Sequence, residues 1–117
     1  MCGCIDPLEM QIPLLAKPLH HYRDQTEAPE WLTEANHKLS GADAVVVVSA
    51  EYNHSIPPAL SSLLGHFPGS SFSYKPSGIV CYSMGKSFDL FLRSLYDSLS
   101  FDMDKILYLT VHAEIRM

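Results

Sequence analysis

Four consecutive valines, Val45 to Val48, preceded by Ala44, constrain the fold of this chain more than any other feature. Branching at Cβ restricts each side chain, so such a run resists helix and favours extended backbone. The run is apolar at every position instead of every second one. That is the pattern of a parallel strand buried between two helix layers. Parallel strands cannot be joined by a hairpin and need a crossover connection, usually helical. The valine run therefore predicts an α/β sheet with crossover helices.

The flanking sequence agrees. Pro29 stands where a helix can begin, and Trp31, Leu32, Ala35, Leu39 and Ala42 follow at helical spacing, with Gly41 as a stop. After the valines, Pro57 and Pro58 open a second helix over about 57–67, with Leu60, Leu63, Leu64 and Phe67 on one stripe. Gly69 to Pro76 is turn-rich, and Gly78-Ile79-Val80-Cys81-Tyr82 is a second short apolar strand. A helix over about 87–100, carrying Phe88, Phe91, Leu92, Leu95 and Leu99, and a last strand within Ile106–Val111 complete the alternation. Residues 5–23 hold three prolines (Pro7, Pro13, Pro18) and read as an extended loop lying over a surface.

At 117 residues the chain has room for one domain. With 47% hydrophobic and 18% charged residues it has the composition of a folded globule. A net charge of −5 with eight scattered basic residues argues against a nucleic-acid partner. No apolar run approaches a membrane span, and the N-terminus lacks the basic start of a secretory signal. Three cysteines cannot all pair with one another, which fits a reducing, cytoplasmic setting. The six histidines match no metal-ligand spacing. Ser83 follows a strand, but a nucleophile elbow needs glycine where Cys81 stands.

Ligands of open α/β sheets bind outside the carboxyl ends of the strands. The loop leaving the valine strand is Ser49-Ala50-Glu51-Tyr52-Asn53-His54-Ser55-Ile56-Pro57. It gathers an aromatic face, an amide, an imidazole and a hydroxyl within four residues, a set able to meet a flat, polar-edged ring. The same loop would serve as a polar helix cap, with Asn53 or Ser55 as the capping residue.

Glu51-Tyr52-Asn53-His54-Ser55-Ile56-Pro57-Pro58-Ala59-Leu60 resembles the P-E-Y-N-x-S-x-P-x-x-L element of the NAD(P)H-dependent FMN reductase family, flavodoxin-like flavoproteins. Ala50 replaces the usual proline, and Ser61-Ser62 and His66 replace the usual helix residues. Lys75-Pro76-Ser77-Gly78-Ile79-Val80-Cys81-Tyr82-Ser83 is similar to the family's K-P-x-x-I-V-x-Y-S strand, and Asp6 to Met10 with Pro13-Leu14 to the segment after its second strand. The resemblance implies FMN and NAD(P)H as cofactors and a small-molecule electron acceptor. It also implies that Glu51, Tyr52, Asn53, His54 and Ser55 contact the ring on one side and Ser83 and Gly85 on the other. No side chain need act as acid or base, because the flavin carries the redox chemistry.

The same resemblance implies an incomplete flavodoxin-like sheet. Met1 to Ile5 is too short for the family's first strand and for the loop that wraps the FMN phosphate at a helix N-terminus. Losing a strand between two others leaves a gap of roughly 9–10 Å and an open edge on the valine strand. After Gly85 the family's glycine pair is absent, so residues 86–117 read as divergent, against a family-like core over 29–85 and a Pro-rich loop over 1–28. Two functions compete: an FMN-mediated reductase, and a truncated, non-catalytic form that binds a full-length reductase subunit. Flavodoxin-like reductases form dimers or tetramers, which makes homo- or hetero-oligomers the expected assemblies.

Overall fold

The computed structural model describes residues 3–83 and 108–114, with Ser83 and 108–114 described through their backbone. Three strands form one parallel sheet in the order β1-β2-β3: β1 (Val45–Ala50), β2 (Ser77–Ser83) and β3 (Tyr108–Glu114). Helix α1 (Glu30–Gly41) precedes β1, and helix α2 (Pro58–Gly65) carries the crossover from β1 to β2. Three 3₁₀ turns, Leu19–His21, Gln25–Glu27 and Gly69–Ser71, lie in the connections. The helix expected over 87–100 lies outside the described residues. The last strand lies two to three residues later than its apolar run suggests.

Register fixes the two faces of the sheet. Val47 pairs with Ile79 and Ser49 with Cys81, and all four are buried. Val47, Ile79 and Cys81 join Leu32, Ala35 and Leu39 of α1, Leu64 of α2 and Phe67 and Phe72 beyond it in a single core. Trp31, Leu60 and Leu63 pack around its margin. The opposite face departs from the expectation of two-sided burial. Val46 and Val48 are 65% and 66% exposed. Among the described residues β1 pairs with β2 alone. The valine run is therefore apolar on both faces but buried on one.

The Pro-rich segment is a strap across α2. Its first residues turn back on themselves, with the Met10 N–H donating to Asp6 O at 3.0 Å and Gln11 at a φ of 49°. Further along, Leu15 N–H donates to Ser62 Oγ (2.8 Å) and Leu19 N–H to His66 O (2.8 Å). His66 Nε2 lies 3.0 Å from Pro13 O. A carbonyl only accepts, so Nε2 donates here, and among the described residues buried Nδ1 has no hydrogen-bond partner. The His66 ring also meets Trp31 of α1 edge-on, 5.0 Å between centroids. Strap and α2 approach closely because residue 65 is glycine: a Cβ there would come within 2.6 Å of Leu15 Cδ2.

Lys75 of the Lys-Pro pair has a structural task. Its ammonium donates to Leu39 O (2.5 Å) and Ser40 O (2.8 Å), capping the carbonyl end of α1 where a cation is favoured. Replacing Lys75 with Met is expected to lower stability by about 1–2 kcal/mol. Urea unfolding would show this as a lower midpoint at unchanged slope.

Candidate functional site

β1 runs directly into the candidate loop. The Glu51 N–H donates to Tyr82 O at 3.2 Å, one rung past the end of the strand. The chain then reverses over Tyr52-Asn53-His54-Ser55, with Tyr52 N–H to Ser55 O at 3.1 Å and Ser55 N–H to Tyr52 O at 3.0 Å. Asn53 and His54 have φ of 51° and 63°. Two successive left-handed residues closed by a reciprocal pair define a type I′ hairpin turn. Asparagine and histidine are among the non-glycine residues that enter this region most readily, yet each residue there stores strain of about 1 kcal/mol or more.

The turn stands at the carboxyl end of β1, the rim where α/β sheets bind ligands. Tyr52 is 60% exposed, and Asn53 and His54 are exposed beside it. Among the described residues the Asn53 amide N–H and carboxamide have no hydrogen-bond partner, so both are available to a ligand. Ser55 is half-buried and Ile56 buried under the turn. On the neighbouring strand Tyr82, opposite Ala50, is 45% exposed, and Ser83 ends β2 opposite Glu114. Gly85 lies outside the described residues.

Glu51 faces inward. Its side chain is 7% exposed, and Oε1 accepts the His54 N–H at 3.0 Å and lies 3.4 Å from His54 Nδ1. The helix-cap reading of the loop fails: the N-cap position of α2 is held by Pro57, not by Asn53 or Ser55. Pro57 and Pro58 also remove two N–H groups from the start of α2, while α1 starts with Pro29 and Glu30. Neither described helix N-terminus is suited to a phosphate, which needs free amides and no carboxylate. A separate groove of about 230 Å³ lies between strap and α2, lined by Pro7, Ile12, Leu14, Pro58 and Leu63. Its one polar side chain, Ser62, already accepts from the strap, so the groove offers little to a polar-edged ring.

The rim turn thus brings an aromatic face, an amide and an imidazole together at the carboxyl end of β1. Sequence reading found the loop but not its geometry. The signal was present, since Tyr52-Asn53-His54-Ser55 is a two-residue hairpin pattern with histidine where glycine is usual.

The match to the family model of NADPH-dependent FMN reductases covers residues 5–102. The chain belongs to that family, and FMN and NADPH are the cofactors that define it. The match extends past Gly85, where the recognisable motifs stop, so part of the divergent-looking segment lies within it. The chain is also similar in fold to the solved structure of FerB, described as a flavoenzyme NAD(P)H:(acceptor) oxidoreductase, from Paracoccus denitrificans. The TM-score is 0.58 at 22% identity, over 80% of this chain and 54% of that one. The chain therefore spans about half the length of this structural relative. Among the described residues no helix is long and apolar enough to cross a membrane.

Cys81 sits at 0% exposure beneath the site. Burial first, and the Glu51 carboxylate second, push its thiol above the ordinary value of 9.0. The fold thus favours the neutral thiol. Its contribution to stability is intact below that ordinary value and is lost as pH rises through the raised folded one. At about pH 8, iodoacetamide is expected to label exposed Cys4 in the native protein and Cys81 only after unfolding. Mass spectrometry of the two cysteine peptides reads the difference.

Proposed function

We propose that the chain is an NAD(P)H-dependent, FMN-mediated oxidoreductase that passes electrons to a small-molecule acceptor, with the ring of the flavin seated against Tyr52–Ser55. The observation that carries this reading is the exposed type I′ turn at the carboxyl end of β1, within a chain of the FMN reductase family. Bound FMN would supply the hydride-accepting ring. The protein's own part is positional. Tyr52 offers an aromatic surface, the Asn53 amide and carboxamide offer hydrogen bonds to a polar edge, and Tyr82 and Ser83 border the site from β2. On this reading the chain is one partial flavodoxin-like domain, in the cytoplasm where NAD(P)H is available.

The described helix N-termini lack a phosphate cradle, so recognition falls on the ring. Lumiflavin, which has the ring but no ribityl phosphate, and FMN are expected to bind within about threefold of each other, far less than a set of charge-assisted phosphate bonds would add. Titration of each flavin's fluorescence with purified protein measures this. Absence of quenching for both would remove the flavin reading.

One observation favours the second reading, a non-catalytic form that binds a full-length reductase subunit. Among the described residues β1 has no strand paired to its outer edge, and Val46 and Val48 are exposed. Such a surface gains from pairing with another chain. Co-expression with a full-length FMN reductase should then give one co-eluting species on size exclusion, and separate elution at every ratio counts against it.

A further inference from the structure

We propose that Glu51 is the positioning residue of the rim turn: its inward-facing carboxylate locks residues 52–55 in the left-handed geometry on which docking of the flavin ring depends. The docking half of this inference rests on the flavin reading above; the locking of the turn does not.

The argument begins where the strand ends. The backbone of Glu51 is held to Tyr82 O, which fixes the direction of its side chain relative to the sheet. A carboxylate that is 7% exposed needs hydrogen-bond donors, and the turn above it supplies two. Oε1 takes the His54 N–H at 3.0 Å and faces His54 Nδ1 at 3.4 Å. One oxygen thus engages both the backbone and the ring of the second left-handed residue, at φ 63°. Type I′ turns usually place glycine at that position, because glycine enters it without strain. Here a residue with a Cβ is held there by a charged acceptor, whose bonds are stronger than those of a neutral one. With the His54 amide committed inward, Asn53 carries the unspent backbone donor of the turn among the described residues. Freed from Glu51, His54 would relax out of the left-handed region, and the Tyr52 ring and Asn53 amide would lose their fixed relation.

The test is a double-mutant cycle on the full chain: Glu51→Ala, His54→Gly and the two together. Amide hydrogen exchange at position 55, whose N–H closes the turn on Tyr52 O, and lumiflavin fluorescence quenching are the readouts, with a thermal melt confirming that each variant folds. In the His54 background, Glu51→Ala is expected to speed exchange and weaken lumiflavin binding by about tenfold each. In the His54→Gly background the same substitution should change either by less than about threefold, since glycine holds the turn unaided. A general structural role for Glu51 would cost the same in both backgrounds. Equal losses in both, or no loss in either, overturn the proposal. If Glu51→Ala fails to melt cooperatively, Glu51→Gln, with a neutral acceptor of similar size, carries the same comparison with smaller losses. A wild-type protein that shows the exchange coupling but never quenches lumiflavin overturns the flavin reading and the docking half, and leaves the locking of the turn standing.

Discussion

The parallel pairing of Val45–Ala50 with Ser77–Ser83 is the constraint from which the rest of the structure follows. By setting Val47 beside Ile79 and Ser49 beside Cys81, it gathers the buried side chains on one face, where α1 and α2 cover them. The same register brings Ala50 level with Tyr82, so both strands end together and form a rim. A one-residue slip would turn Val47 outward and carry Val46 and Val48 into the core. It would also displace the turn from the level of Tyr82. Core and site are therefore set by one alignment.

Burial on a single face gives the sheet an unusual balance for parallel strands, which are normally covered on both sides. The inner face is closed by leucines, phenylalanines and a cysteine, with buried Ser49 and Ser77 at its ends. The outer face keeps Val46 and Val48 in solvent. The rim turn owes its position to the closed face, through Ile56 beneath it and Glu51 turned inward.

What could be read from the sequence follows the range of the interactions. The valine strand, both helices and the Gly41 stop were legible because β-branching, 3.6-residue spacing and chain-breaking residues act locally. The rim loop was legible by motif. Its hairpin form was obscured because His54 occupies the position where glycine would have announced it. The inward carboxylate of Glu51 and the capping of α1 by Lys75 were not legible. Each depends on where the chain returns in space, and neither glutamate nor lysine has a spacing rule for that. The exposure of Val46 and Val48 was missed for the same reason, since a run of four valines looks alike whether one helix layer covers it or two.

The strap has a consequence for the order of assembly. Its ties to α2 join residues 47 and 53 positions apart, Leu15 with Ser62 and Pro13 with His66. The unit from β1 through α2 to β2 is contiguous, and its paired residues lie 32 positions apart (Val45 with Ser77). Closure entropy rises with loop length, so the contiguous unit can condense first and the strap zip down over it afterwards. The edge-on contact between Trp31 and His66 involves no residue of the strap, so indole fluorescence would report the collapse and not the zipping that follows it.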